Sequence, residues 1–145
     1  MFEIFYRLNT GGINLKPQEI RASLYRSDFL DALASLNNDK QWRRLLGFEG
    51  PDVRMKDIEI LLRGFAMLAN EKAYRRPMTR FLNRFSRECQ NLSSSGHALF
   101  SKIFTEFLTK SSALQEGVFL TRRRQFNITL FEAAFVTSCR EAYSS

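Results

Sequence analysis

The chain has 145 residues, of which 44% are hydrophobic and 13% aromatic, and its formal net charge is +7. A chain of this length buries roughly two-thirds of the surface that its unfolded form exposes, which is enough for one core. It contains no apolar run of the ~18 residues that a membrane span needs and no basic segment followed by an apolar one, so the sequence predicts neither a membrane span nor a secretory signal.

The cysteine and histidine content argues against a metal site. Cys89 and Cys139 are far apart, and His97 is the single histidine, so no metal-ligand spacing occurs. We therefore expect a cytoplasmic protein with no metal, no cofactor and no membrane partner. Both cysteines are expected to be reduced core residues.

The N-terminal segment predicts two short helices joined by a tight turn. Apolar residues are spaced to line one side of the first helix: Phe2, Ile4, Phe5 and Leu8. The stretch Asn9-Thr10-Gly11-Gly12 ends that helix, because asparagine and glycine adopt the left-handed conformation at low cost. Pro17 suits the first turn of the next helix, where Glu19 is placed to accept a hydrogen bond from a backbone N–H.

The same turn is a candidate anion site. Backbone N–H groups of a Gly-Gly turn between two helices, with arginines near by, would form a nest for phosphate. The candidate ligands are Arg7, Asn9, Thr10, Gly11, Gly12 and Arg21. The alternative is that the glycines only end one helix and reverse the chain. Residue chemistry alone favours this alternative, since the turn matches neither a Walker loop nor a dinucleotide-binding fingerprint.

Apolar residues recur every three or four positions along the rest of the chain, which predicts further helices. Ser27 is expected to cap one helix and Asn38 the next, which Gly47 ends. Longer apolar periods follow in residues 55–69 and 78–92. The fourteen phenylalanines predict a helical core filled by aromatic rings.

The C-terminal part predicts two more helices. Ser93 to Gly96 breaks the chain and can cap a helix that carries Phe100 and Phe104 inward, while Asn127 or Thr129 caps the last helix. Residues 110–125 show no clear period. The sequence as a whole predicts an all-α fold, a bundle of six to eight helices in a single domain over residues 1–145, with negligible strand.

Two arginine clusters are candidate DNA-binding surfaces. The first steps by four, four and three residues, which predicts a stripe opposite Phe81 and Phe85: Arg76, Arg80, Arg84 and Arg87. The second is expected in a loop: Arg122, Arg123 and Arg124. Arginine binds phosphate in a bidentate manner, so both clusters suit contact with a nucleic-acid backbone. The alternative is a solvated face with scattered ion pairs, for example to Glu71 or Glu88.

Catalytic constellations are absent from the sequence. His97 is expected in a loop or a first helical turn, and Asp57 and Glu59 point to different faces of a helix. Asp28 and Asp31 share a face, but a first-turn position explains them through the helix dipole. No nucleophile-elbow or metalloprotease motif occurs. We therefore name no catalytic residue.

Several stretches resemble a known family. The opening block Phe5, Asn9-Thr10-Gly11-Gly12, Leu15 and Glu19-Ile20-Arg21 is similar to the second conserved block of the ParB-like N-terminal domain of GmrSD-type, modification-dependent restriction enzymes. Weaker similarity continues in Asp57 to Phe65, in Arg80-Phe81-Leu82-Asn83 and in Phe126 to Ala133. The resemblance covers most of the chain and corresponds to the helical, C-terminal portion of that domain.

The resemblance implies a role in prokaryotic defence against phage and other foreign or modified DNA. It also implies that a full-length relative hydrolyses nucleotide or cleaves DNA, with an NTP and Mg as cofactor. The family signature Asp-Gly-Gln-Gln-Arg lies upstream of the Asn-Thr-Gly-Gly block, and this chain does not contain it. The chain is therefore expected to be the later half of a larger ParB-like domain and to be inactive alone.

Three functional hypotheses follow. The first is a binding or scaffold portion of a restriction-type protein that contacts nucleotide or DNA phosphates. The second is an enzyme half that needs the missing N-terminal half or a partner subunit carrying the Asp-Gly-Gln-Gln-Arg motif. The third is an unrelated helical protein-interaction module. If the first helix has lost a packing partner, its apolar face should be exposed or covered by a second copy in a homodimer.

Overall fold

A computed structural model describes residues 1–8 and 14–144, with the side chains of Phe5 and Leu8 excepted. Within these residues eight α-helices follow one another along the chain. They are α1 Phe2–Leu8, α2 Pro17–Leu24, α3 Asp28–Leu36, α4 Lys40–Leu46, α5 Lys56–Asn70, α6 Met78–Glu88, α7 Ser94–Lys110 and α8 Ile128–Ser144. The described part contains no strand, and one isolated antiparallel bridge joins Leu120 to Phe126. The predicted all-α fold is confirmed.

Local signals set most helix ends as the sequence predicts. The Ser27 hydroxyl accepts a hydrogen bond from the Leu30 N–H, and Asn127 does the same for Leu130 at the start of α8. The prediction for α4 is wrong by one residue. Its N-cap is Asp39, whose carboxylate accepts the Trp42 N–H at 3.0 Å. An aspartate at the N-cap also gains from the positive end of the helix dipole.

The core lies where α5, α7 and α8 pack together. Phe65 of α5 and Phe135 of α8 are fully buried, and their rings meet edge to face with centroids 5.2 Å apart. Gly64 makes this approach possible, because a Cβ at this position would lie 3.1 Å from the Phe135 ring and 3.2 Å from the Phe131 ring. The expected aromatic core is thus present, and α5 and α8 form its central pair.

Both cysteines lie in this core without a disulfide. Burial raises the pKa of the Cys89 thiol to about 12 and that of Cys139 to about 11. Such thiols stay protonated and unreactive at neutral pH. Among the described helices, none combines the length and the apolar content that crossing a membrane requires.

Helix α1 packs on α2 through Phe2, which is 9% exposed and whose ring lies 6.0 Å from the Arg21 guanidinium carbon. The expectation that Ile4 shares this side is wrong, since Ile4 is 61% exposed. Two residues along a helix correspond to about 200° of rotation, which turns Ile4 away from Phe2.

Candidate functional site

The segment before α8 forms a hairpin-like turn with three arginines at its tip. The Asn127 N–H donates to the Phe119 carbonyl at 2.7 Å, and the Thr121 N–H donates to the Gln125 carbonyl at 2.8 Å. With the bridge between Leu120 and Phe126, these bonds close a short loop. We call residues 121–125 the arginine loop, since Arg122, Arg123 and Arg124 form its centre.

The three arginines of the loop are exposed and carry no ion pair within the described residues. Arg124 has a φ of 59°, in the left-handed region. A residue other than glycine pays a conformational cost of about 1 kcal/mol or more there. The fold therefore holds an arginine at a position where glycine would be easier to accommodate.

Aromatic packing anchors the arginine loop to the core. Phe119 is 3% exposed, and its ring centroid lies 5.6 Å from that of Phe131 in α8. The half-buried Phe126 ring lies 5.7 Å from the same Phe131 ring. The residues flanking the loop on both sides thus pack on one ring of α8, that of Phe131, and this packing anchors the exposed arginines.

The residues that lead into the arginine loop pack on the end of α4. The Gly117 N–H donates to the Arg44 carbonyl at 2.9 Å, and Leu120 lies over Gly47. Gly47 ends α4 with a φ of 78°, as predicted, and a Cβ there would come within 2.6 Å of the Leu120 side chain. A glycine is therefore required both for the helix end and for the close approach of the loop.

An open cavity of about 740 Å³ lies between the arginine loop, the end of α4 and the start of α5. Its apolar lining residues are Leu46, Phe48, Ile60 and Phe126. Its charged lining consists of Arg43, Lys56, Arg124, Asp52 and Asp57. The cavity lining thus combines apolar side chains, two of them aromatic, with charged groups.

Arg43 ties one wall of the cavity together. Its buried guanidinium donates to the Asp57 carboxylate at 2.7 Å, to Asn37, and to the carbonyls of Phe48 and Gly50. These bonds join α4, the loop after it and the first turn of α5. Arg43 is therefore saturated with internal partners and acts as a structural clamp.

The same clamp keeps Asp57 ionised and paired with Arg43. Burial by itself would raise the pKa of its carboxyl, but hydrogen bonds from the Asp52 N–H and from Arg43 lower that pKa below its ordinary value. Asp52 is also engaged, since its carboxylate accepts the N–H groups of Arg54 and Lys56. Both carboxylates of the cavity thus have internal donors. The exposed ammonium of Lys56 forms no ion pair within the described chain.

The first arginine cluster is arranged differently. Arg76 lies before Pro77, the N-cap of α6, so it does not belong to the helical stripe that the spacing predicts. We call Arg80, Arg84 and Arg87 of α6 the arginine helix. All three are exposed.

Each member of the arginine helix has a partner in its own chain. Arg80 pairs with Glu3 at 3.3 Å, Arg84 pairs with Glu88 at 3.1 Å, and the Arg87 guanidinium lies 5.9 Å from the Tyr25 ring centroid. The predicted alternative of a solvated face with ion pairs therefore describes part of this surface. Of the two carboxylates named for it, Glu88 pairs with Arg84, whereas Glu71 pairs with Arg140 of α8.

The N-terminal candidate site is only partly described. Asn9, Thr10, Gly11 and Gly12 lie outside the described residues, and Arg7 is exposed. Arg21 is placed differently from the expectation.

Arg21 is completely buried, and its guanidinium donates to Asn83 at 2.8 Å, to Gln18 and, at 3.4 Å, to Glu59. Burial lowers the pKa of this guanidinium and the charge of Glu59 opposes the shift, so the group stays protonated. Arg21 joins α2, α5 and α6 instead of facing an external anion.

Sequence reasoning missed the cavity. Its lining residues come from four segments, namely α4, the connection after it, α5 and the chain before α8, and neither Phe48 nor Lys56 belongs to a recognisable motif. The Gly-Pro pair at Gly50 and Pro51 indicates a loop there but not that an aromatic ring of that loop borders a cavity. Among the described residues, no group of three or more histidine, cysteine or carboxylate side chains is arranged to hold a metal ion.

Comparisons with known proteins add no relative. No protein-family model matches the chain, and neither the curated proteins nor the solved structures include a match. The resemblance to the ParB-like domain of restriction enzymes therefore stays a prediction.

Proposed function

We propose that this helical domain binds the phosphates of nucleic acid through the arginine loop. It would serve as the binding portion of a DNA-handling protein of the restriction type and have no catalytic activity of its own. The defence context comes from the family resemblance. The binding chemistry comes from the loop itself.

The observation that carries the proposal concerns Arg122, Arg123 and Arg124. Placing these charges costs conformational and electrostatic free energy, yet no carboxylate of the described chain pairs with them. The three charges lie side by side on an anchored turn, one of them in a strained backbone conformation, and none has an ion-pair partner in the described chain. Like charges at adjacent positions repel one another, and a bound polyanion relieves that repulsion. The net charge of +7 favours such a partner over the whole surface.

The test replaces Arg122, Arg123 and Arg124 together by glutamine and measures DNA binding by fluorescence anisotropy at several salt concentrations. Each phosphate contact contributes about 0.7 to 0.9 to the slope of log affinity against log salt, so losing three contacts should flatten that slope by about two to three. Affinity at about 50 mM salt should fall at least tenfold.

The arginine helix supplies a matched control. Replacing Arg80, Arg84 and Arg87 by glutamine removes the same charge, but these side chains already have Glu3, Glu88 and Tyr25 as partners. This variant should lose less affinity than the loop variant. Equal affinity of the loop variant and the wild-type protein would refute the proposal, and circular dichroism confirms that both variants stay folded.

A further inference from the structure

The cavity beside the arginine loop has features that phosphate binding does not require. Phosphate contact needs only exposed cations, yet this cavity presents the rings of Phe48 and Phe126 together with the side chains of Leu46 and Ile60. Phe48 is 47% exposed, so a large part of its ring faces solvent. An aromatic surface held open beside cations is the combination found in sites that stack the bases of single strands.

The cations at this cavity are positioned by different segments. Arg124 comes from the arginine loop and Lys56 from the first turn of α5, and both line the cavity that contains the two rings. Neither forms an ion pair within residues 1–8 and 14–144. The carboxylates of Asp52 and Asp57 accept internal N–H groups and the Arg43 guanidinium, so both already have donors within the protein.

Backbone strain is concentrated at the same place. In the described residues, a positive φ occurs at two residues other than glycine, Met55 with 61° and Arg124 with 59°. Met55 directly precedes Lys56, and Arg124 is itself a lining residue. Both strained positions thus fix the backbone next to the two cations of the cavity, as strain at functional sites does.

We propose that the cavity receives one unpaired base of a single-stranded nucleic acid. Phe48 and Phe126 contact the base, and Arg124 and Lys56 hold the phosphates that flank it. This inference rests on the proposed function, because the arginine loop brings the strand to the cavity. The volume of about 740 Å³ falls in the range of about 300–1,000 Å³ that small-ligand sites occupy. A base paired within a duplex does not expose the ring face that this site contacts.

The test compares oligonucleotides that carry the same phosphates with and without bases. Anisotropy titrations use a short oligothymidylate, an abasic strand of equal length, an oligouridylate and a duplex. We expect the oligothymidylate to bind roughly fivefold or more tightly than the abasic strand. Phe48→Leu should reduce that difference, because one of the two rings is lost, and it should leave affinity for the abasic strand unchanged. The oligouridylate should show the same base-dependent gain, because the proposed contacts are to the ring face of the base and to the phosphates, which RNA and DNA share.

Tyr6→Leu is the matched control, because Tyr6 is an aromatic residue of similar exposure, 52%, that does not line the cavity. It should bind all four probes as the wild-type protein does. Phe126→Leu provides a second variant among the lining residues, with thermal unfolding to verify its fold.

Equal affinity of the wild-type protein for the abasic strand and the oligothymidylate would overturn the base-binding inference, and so would a base-dependent difference that Phe48→Leu leaves unchanged. In both cases the arginine-loop variant still tests phosphate binding. If the arginine-loop variant binds every probe like the wild-type protein, the proposed function falls. Loss of the base-dependent difference in Tyr6→Leu would show that the effect does not arise at the cavity.

Discussion

The arginine helix and the arginine loop carry the same side chain in two different settings. On α6, Arg80 and Arg84 pair with carboxylates of their own chain and Arg87 lies by the Tyr25 ring. In the loop, three consecutive arginines have no ion pair within the described residues, and the backbone at Arg124 is strained. The difference teaches that the number of arginines does not identify a binding surface. What counts is whether the fold already uses their charge.

The largest effect is expected from removing the anchor of the loop. Phe119→Ala deletes a buried ring that packs on Phe131, so the free energy of unfolding should fall by about 3–5 kcal/mol. DNA affinity should fall as well, because the arginine loop loses the packing that anchors it to α8. The control is Phe81→Ala, which removes a ring of comparable burial from α6, the helix that carries Arg80, Arg84 and Arg87. If both variants lose DNA affinity equally, the loop has no special role. Chemical denaturation and anisotropy measure the two quantities.

Asp57→Asn should weaken the clamp that holds the other wall of the cavity. The change removes charged hydrogen bonds with Arg43 and the Asp52 N–H, and about 1.5–3 kcal/mol of unfolding free energy should be lost at neutral pH. The arginine helix contains no comparable buried pair. A variant as stable as the wild-type protein would contradict the clamp.

Acid titration provides an independent check of the same clamp. The pKa of Asp57 is lowered in the folded protein, so its stabilisation is complete above the ordinary aspartate pKa of about 3.9 and is lost as the pH falls through the folded-state value. Below about pH 4 the wild-type protein should therefore lose stability more steeply than Asp57→Asn. The pKa of Glu19 is also lowered, by the Lys16 N–H and by Arg54, so Glu19 adds to the loss of stability in acid. Measuring the same pH dependence in Glu19→Gln separates this contribution from that of Asp57.

Arg124→Gly should separate stability from binding within the loop. Glycine adopts the left-handed conformation without strain, so the unfolding free energy should rise by roughly 0.5–1 kcal/mol while DNA affinity falls a few fold. Arg123→Gly removes the same charge at a residue without a positive φ and should not gain stability. A destabilised Arg124→Gly protein would mean that the arginine side chain itself supports the fold.

The smallest effect is expected from releasing an arginine of the helix. Glu88→Gln removes the partner of Arg84, an exposed pair worth less than about 1 kcal/mol. DNA affinity should then rise about twofold. Glu141→Gln, which neutralises an exposed carboxylate without an ion pair in the described chain, should raise it less. Equal gains would show that internal pairing does not mask the arginine helix.

Local features of the fold could be predicted from the sequence because their causes are local. The caps at Ser27 and Asn127 and the glycine that ends α4 depend on residues three or four positions away. The burial of Arg21 and its internal hydrogen bonds could not be predicted in this way. Its partners Asn83 and Glu59 are 62 and 38 residues distant, and only the packing of α2 on α5 and α6 brings them together.

The cavity lies beyond sequence reasoning for the same reason. Phe48, Lys56 and Phe126 meet there from three separate segments, and each residue alone is unremarkable in its sequence context. The arginine loop was visible as a charge cluster. Its anchoring by Phe119 and the left-handed backbone of Arg124 were not, since both depend on tertiary packing.

The anchored ends of the arginine loop have a practical consequence for proteolysis. Trypsin cleaves after arginine, and the exposed tip at Arg122, Arg123 and Arg124 offers three consecutive cleavage sites. Because Phe119 and Phe126 hold the two ends of the loop on Phe131, a chain cut at the tip should keep α7 and α8 packed together as a nicked protein. The rate of cleavage at these three sites should fall when a ligand covers the tip, so protease protection can follow occupancy of the loop without a labelled strand.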